Sequence, residues 1–271
     1  MKFRVGALLF FLFAFAAKGT AGAPLLFFTD SSLLKANAVL FGTQVDTTFL
    51  PQTELTSVAL FLDYGINDRV TVNFQIPYNW FWMDPTGGGF GDLLGGIRIA
   101  IFESEGLTWR LLASFDGRIG TGPTEDDSLT RINNLVISYY PYSTGTMLLR
   151  PAVIGSFSMD NLAVDSYLAF DWENGPDGQS SYYRVEIGVS ADYNFRLTPP
   201  SDTPVYLKPN LRIDGNIPLT DPDSIPLGIF ATAQATLRWG NFWRLNIYTT
   251  APFLTQSLYN LSCGIEFGLF L

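Results

Sequence analysis

From Val70 to Trp80 the chain reads Val-Thr-Val-Asn-Phe-Gln-Ile-Pro-Tyr-Asn-Trp, with an apolar side chain at every even position. Side chains at i, i+2 and i+4 share one face of a strand, so this segment predicts a strand with one oily and one polar face. The same two-residue rhythm runs through Leu93 to Ile101, Leu107 to Ile119, Leu162 to Trp172, Tyr183 to Phe195, Val205 to Ile213, Leu227 to Trp239 and Leu261 to Leu271. Charges fall on the intervening positions: Asp92, Arg98, Arg110, Asp116, Arg118, Arg150, Asp165, Asp171, Arg184, Glu186, Asp192, Lys208, Arg212, Asp214, Arg238, Arg244 and Glu266. An antiparallel sheet with all its strand charges on one face follows.

Alternation alone does not say whether the oily face meets lipid or a soluble core. Four features decide for lipid. The runs are about 10 to 13 residues, close to the 9 to 11 of a tilted membrane strand and longer than the usual 5 to 6 of soluble sheets. Aromatics gather at run ends, as in Trp80-Phe81-Trp82, Phe170 with Trp172, Tyr182-Tyr183, and Trp239 with Phe242-Trp243, where interfacial girdles belong. The alternation of Ile265, Phe267, Leu269 and Leu271 runs to the last residue, resembling the C-terminal signal that outer-membrane barrels offer their assembly machinery, with Leu in place of the usual Phe. An export leader is present, and no later segment is apolar enough for a transmembrane helix. An Arg or Lys on the lipid face near the midplane costs roughly 2 to 4 kcal/mol, which explains why none of the seventeen strand charges is misplaced.

The leader is Lys2 and Arg4, then an apolar stretch from Val5 to Ala17, then small residues from Gly19 to Ala23. It reads as a signal peptide over residues 1–21; Pro24 argues against a cut after Ala23 and favours one near Ala21. Without it, 13 basic residues stand against 25 acidic ones, a net charge of −12, which disfavours nucleic acid as a partner. Cys263 is the only cysteine and there is no histidine, which rules out a disulfide, zinc sites built on His and Cys, and Ser-His or Cys-His nucleophiles. No cofactor, metal or catalytic residue is expected, and the chain is not expected to be an enzyme.

Single-chain bacterial barrels have an even strand number, short periplasmic turns and longer outer loops. Thirteen candidate runs break that parity. Short turns at 65–68, 103–106, 159–161 and 240–241 alternate with longer loops at 83–89, 173–180 and 216–226, and the conflict disappears if Arg131 to Pro141 lies outside the wall. The expectation is an all-β, up-and-down transmembrane barrel of about twelve strands over residues 22–271. It begins with weak strands near Leu34 to Thr48 and Leu55 to Tyr64 and carries a long outer loop at 120–145. Pro151 and Pro209 fall on the lipid face inside strands, where each removes a ladder donor, and are expected to mark bulges.

The polar face is where function is sought. Pore-lining candidates are Asp92, Arg98, Arg110, Asp116, Arg118, Arg150, Arg184, Glu186, Lys208, Arg212, Arg244 and Glu266. Counting around the turns places Asp92 opposite Arg118, Arg98 opposite Leu112 or Arg110, and Arg244 opposite Glu266 with Arg238 nearby. These charges either form a selective constriction or pair across strands to fill a narrow barrel. The Glu125-Asp126-Asp127 and Tyr139-Tyr140-Pro141-Tyr142 stretches of the long loop fit a plug, an aromatic binding surface, a cation and lipopolysaccharide contact, or simply solvated loop. Gly87 to Gly91 lacks the following helix and Lys-Ser/Thr of a phosphate cradle and reads as a loop entering a strand.

Tyr64-Gly65-Ile66-Asn67-Asp68-Arg69-Val70, running on to Ile76-Pro77-Tyr78, resembles the hairpin of the outer-membrane proteins named for the meta-pathway of phenol degradation. Gly89-Phe90-Gly91-Asp92-Leu93 before Gly95-Gly96-Ile97-Arg98 resembles that family's strand entry, and Gly120 to Thr124 echoes its Pro-Thr-Gly loop in altered order. The matching covers Leu60 to Phe102. The resemblance implies an exported barrel of about twelve strands that passes small, often hydrophobic or aromatic solutes.

The expected function is thus an outer-membrane channel or uptake protein with a narrow charged lumen. Its partners are the bilayer and its lipopolysaccharide, the barrel assembly machinery and a small solute, in the cell outer membrane of a Gram-negative-type bacterium. The alternative is a closed barrel with a structural, adhesion or surface-binding role through acidic outer loops. A third reading is a hydrolase built on acids such as Asp92 and Asp116.

Overall fold

The computed structural model describes residues 33–50, 53–81, 87–119, 147–174, 181–219, 228–255 and 261–271. The leader expected over 1–21 and the loop expected over 120–145 lie outside the described residues. The strands are β1 (Val39–Leu50), β2 (Thr53–Asn67), β3 (Val70–Phe81), β4 (Gly87–Phe90), β5 (Leu93–Glu103), β6 (Trp109–Ile119), β7 (Met147–Met159), β8 (Leu162–Asn174), β9 (Ser181–Tyr193), β10 (Phe195–Arg196), β11 (Val205–Pro218), β12 (Gly228–Trp239), β13 (Trp243–Thr255) and β14 (Ser262–Phe270). β4 and β10 are short additions paired to β3 and β11. The other twelve form one antiparallel sheet whose first and last strands pair, Leu40 opposite Phe270 and Thr48 opposite Ser262, so the wall closes on itself. A closed wall leaves no unpaired backbone edge facing lipid. Among the described residues no helix is long and apolar enough to cross a membrane.

β6 pairs directly with β7 over eleven positions, so the ring of twelve closes without a strand between Ile119 and Met147. Four of the five linkers at one end are short: Asp68-Arg69, the single 3-10 turn Glu105–Leu107, Asp160-Asn161 and Gly240 to Phe242; the fifth, Asn194 to Pro204 between β9 and β11, is longer and carries β10. Asn67 Oδ1 accepts from the Arg69 amide at 2.8 Å in the first of the short ones, and Gly240 takes a φ of +52° in the last of them, a conformation glycine adopts without steric cost. Both described chain ends, Leu33 and Leu271, are at this end, which is the periplasmic one by the loop-length rule.

The outer surface is oily along the whole wall. Phe41, Leu60, Phe74, Ile99, Phe115, Val153, Leu168, Ile187, Ile213, Ile247 and Phe267 are all exposed. Aromatic rings mark both rims of this belt. Trp109 lies 4.6 Å from Phe157, Tyr193 4.5 Å from Phe195 and Trp239 5.9 Å from Trp243 at the periplasmic end; Tyr78 with Phe90 and Phe170 with Tyr183 sit at the other.

Two expectations of local geometry are corrected. Neither Pro151 nor Pro209 creates a bulge. Pro151 pairs with Phe115 in unbroken register, and on its other side the β7–β8 ladder skips Arg150 and Pro151 and resumes in the same register at Ala152. Pro209 keeps register with Ala235, one residue before the β9–β11 ladder begins at Asn210. The missing donors thus fall at gaps in the ladder. The register shifts lie instead between Gly65 and Asn67, Ala100 and Phe102, and Ile229 and Phe230. Arg98 faces Ser114, not Leu112 or Arg110, because the 3-10 turn Glu105–Leu107 centres this hairpin later than a turn at 103–106 would, and the second of these shifts takes back one residue of that offset. An extra residue at Ile101 leaves Ile101 and Phe102 both exposed on the outer face and turns Glu103 to the inner face beside Arg110.

Candidate functional site in the barrel lumen

On β6, Leu112, Ser114, Asp116 and Arg118 are buried while Leu111, Phe115 and Ile119 are exposed. A closed single-layer wall can hide side chains only in its interior, so the buried parity points into the bore. By this criterion the candidates Asp92, Arg98, Asp116, Arg118, Arg150, Arg184 and Glu186 are buried inside, Arg110, Arg212, Arg244 and Glu266 are half-buried there, and Lys208 keeps a 47% exposed side chain.

The structure joins the buried ones into a band on β5 to β9. Arg118 Nε is 3.4 Å from Asp92 Oδ2 and its Nη2 bonds Glu173 on β8. Arg150 bonds Glu186 and approaches Asp171 at 3.6 Å; Arg184 bonds the same Asp171 and lies 3.4 Å from Glu186. Asp116 stands opposite Arg150 in register. Buried charges of one sign would be prohibitively costly to desolvate, and each cation here touches two acids. The band continues on β11, where Arg212 bonds Asp214 at 2.7 Å and the Tyr167 hydroxyl at 3.0 Å, and Tyr167 donates to Asp214 at 2.7 Å. Three pairs stand apart towards the periplasmic end: Arg110 with Glu103 at 3.2 Å, Lys208 with Asp192 at 3.0 Å and Arg244 with Glu266 at 2.6 Å. Arg238, opposite Arg244, bonds the Gly240 carbonyl and Asn241.

The facing wall, β12 to β14 and β1 to β3, is mostly neutral. Thr232 and Thr250 share a hydrogen bond of 2.9 Å, and Gln44 donates to Asp46 at 2.7 Å and to Tyr248 at 2.8 Å. Each ion pair named above joins strands that are adjacent or next but one in the wall, or residues of one strand, and none reaches from the charged wall to the neutral one.

Glycines let large side chains lie flat. Tyr167, Gly188 and Asp214 are cross-strand neighbours on β8, β9 and β11, and Tyr248, Gly264 and Asp46 repeat the arrangement on β13, β14 and β1. A Cβ on Gly188 would sit 2.2 Å from the Tyr167 ring and 2.4 Å from Asp214 Oδ1; one on Gly264 would meet Tyr248 and Asp46 as closely. Gly188→Val is therefore expected to drive Tyr167 off the wall and cost about 1 to 3 kcal/mol of overpacking, read as a lower denaturation midpoint of the folded barrel.

Below the band the chain itself enters the bore. Leu33 packs against a patch of inward apolar residues, Leu112, Ile154, Tyr167 and Ala169, on β6 to β8. The next residue, Leu34, donates its amide to Thr71 Oγ1 on β3 at 2.9 Å, so two consecutive residues link β3 to β6–β8 inside the bore. Ala36 is held by Asp68 at 2.9 Å and Asn37 by the Gly65 carbonyl at 2.7 Å.

Sequence reasoning missed Glu173, assigned to a loop, and the lumen roles of Tyr167, Tyr248, Asp46 and Leu33. The signal for Glu173 was its parity with Asp171. For Tyr167 it was the parity with Asp165, hidden because tyrosine also suits the oily face.

No protein-family model and no curated protein matches this sequence. Solved structures do. The crystal structure of an outer-membrane channel from Pseudomonas putida F1 superposes with a TM-score of 0.60 at 15% identity, over 89% of this chain and 98% of that one. The β domain of the Bordetella autotransporter BrkA gives 0.53 at 10% identity over 88% and 100%, and the KdgM porin 0.51 at 8% over 85% and 98%. The fold is that of an outer-membrane β-barrel. Together with the closed wall and its oily outer belt, this places the chain in the outer membrane of a Gram-negative-type bacterium. The same fold serves a channel, a porin and an autotransporter, so what this barrel does has to be argued from its own lumen. Among the described residues no group of three or more His, Cys, Asp or Glu is placed to hold a metal ion.

Proposed function

We propose that this barrel is a channel or uptake protein passing small solutes through a narrow bore, with the lumen candidates as its lining. The carrying observation is the unequal exposure of the lumen charges. Arg118 and Arg150 are only 1% and 2% exposed, whereas the side chains of Lys208, Arg110 and Arg244 are 47%, 25% and 23% exposed. The β5–β9 band therefore acts as a rigid shoulder that narrows the bore, and the accessible cations nearer the periplasm act on what passes. A twelve-stranded wall is wider than the eight-stranded barrels that side chains fill, and wall-hugging tyrosines keep it from filling. Likeness to a channel and a porin supports the reading at the level of fold. The Tyr64 to Tyr78 hairpin supports placing the chain with the meta-pathway proteins and their hydrophobic or aromatic solutes.

Selectivity tests it. In planar bilayers under a salt gradient, Lys208→Glu with Arg244→Glu should shift the reversal potential towards cation preference, because exposed ring charges set the sign of the field in a narrow pore. Arg110→Ala should shift it less. A purified, folded barrel that neither conducts ions nor admits small solutes into liposomes overturns the proposal.

A further inference from the structure

A groove of about 630 Å³ is cut into the lipid-facing surface across β5 to β8. Its shape follows from three cross-strand rows. The row nearest the periplasm is Trp109, Phe157 and Val164; the next is Leu111, Gly155 and Ser166; the third is Ala113, Val153 and Leu168. Gly155 has no side chain and Ser166 a short one, so the middle row is a trough. The Trp109–Phe157 ring pair forms its shelf on one side, and the exposed Val153 and Leu168 rise on the other.

The position names the occupant. The groove interrupts the oily belt, so what fills it comes from the bilayer. Trp109 opens β6 beside the short periplasmic turn, which puts the trough in the periplasmic leaflet, where phospholipid and not lipopolysaccharide is found. Tryptophans of the girdle sit at headgroup level. The trough is one row further in, two residues along a tilted strand, or about 5 Å deeper, which is the level of the glycerol esters. Ser166 is exposed there, and its hydroxyl has no hydrogen-bond partner among the described residues. A hydroxyl in an apolar setting without a partner is costly.

We propose that this groove binds one phospholipid of the periplasmic leaflet, with an acyl chain in the trough over Gly155 and the Ser166 hydroxyl donating to an ester carbonyl. The volume falls in the range of ordinary ligand sites, roughly 300 to 1,000 Å³.

The test is native mass spectrometry of the full barrel in detergent with added phosphatidylethanolamine, in its diester form and as the ether-linked analogue. The wild type should retain one diester lipid per barrel. Gly155→Leu should lower that retention about tenfold, as loss of a site for several methylenes implies. Its Cβ would have only Ser166 Oγ nearby, at 3.4 Å, so the variant should fold. Ser166→Ala should weaken the diester lipid roughly two- to tenfold, the range of one hydrogen bond, and leave the ether analogue unchanged. Equal retention by wild type and Gly155→Leu overturns the proposal. So does preferential retention of lipopolysaccharide, or a wild-type dimer that Gly155→Leu converts to monomer, which would make the occupant a second copy of the chain.

Discussion

Arg150→Met is expected to destabilise the folded barrel by about 3 to 5 kcal/mol, because it removes one cation and leaves its buried acids without compensation. Arg150 is 2% exposed and meets Glu186 and Asp171, which are buried as well. Only Arg184 would remain to serve both carboxylates, and it already touches both. The penalty belongs to the stranded acids, so neutralising them should return most of it: Arg150→Met with Glu186→Gln and Asp171→Asn is expected to unfold much nearer the wild-type urea midpoint. The measurement is that midpoint, followed by tryptophan fluorescence or by the loss of the compact band on unheated gels. If single and triple variants unfold together, the band contributes nothing through its charges. By contrast, Arg244→Met should cost about 1 kcal/mol or less, since the Arg244–Glu266 pair is partly solvated.

This difference between two arginines of the same parity marks where sequence reading stops. Parity is local: it needs only the two-residue repeat, and it puts Arg150 and Arg244 on the inner face with every other strand charge. Twelve strands followed from parity plus loop lengths, and β6 pairing directly with β7 is the arrangement that count requires. Partner identity is not local. Asp92 does reach Arg118 and Arg244 does reach Glu266, yet the residues facing them across the backbone are Leu94 and Gly268. A long side chain leans diagonally, so counting about a turn identifies a neighbourhood and not a pair. Arg118 with Glu173 and Arg150 with Glu186 are next-but-one strands apart, and no count about a single turn can reach them. Arg98 was misplaced because the turn is centred later than 103–106 suggests, running through Glu105–Leu107 to Thr108; the residue inserted at Ile101 shifts the register back by one, and nothing in Ile-Ala-Ile-Phe announces it.

The paired tyrosines show a middle case. Tyr167 lies opposite Gly188 and Tyr248 opposite Gly264, and once register is known, an inward glycine facing an inward ring is an evident notch. Without register, Gly188 reads as a weak spot in a strand. The lumen's shape thus depends on a relation between strands that each strand alone conceals.

The entry of Leu33 into the bore was legible in no pattern, and it has the clearest functional consequence. Leu33→Asp is expected to raise single-channel conductance severalfold while leaving the urea midpoint close to wild type. Leu33 is half-buried against Leu112, Ile154, Tyr167 and Ala169, so its apolar contact is worth about 1.5 kcal/mol, the lower end for a buried leucine, or roughly tenfold in the ratio of docked to released segment. A carboxylate placed against that patch adds a desolvation cost on top. The tethers at Ala36 and Asn37 lie nearer the rim and do not depend on Leu33, so the segment should swing from its root while the wall stays intact. Thr71→Val, which removes the acceptor of the Leu34 amide, should act in the same direction but less, since that amide can turn to water. Leu33→Met preserves the contact and should conduct like the wild type. If Leu33→Asp conducts no better than Leu33→Met, the constriction lies elsewhere, in the ion-paired band itself, and Arg118 with Arg150 would then be the residues limiting flow.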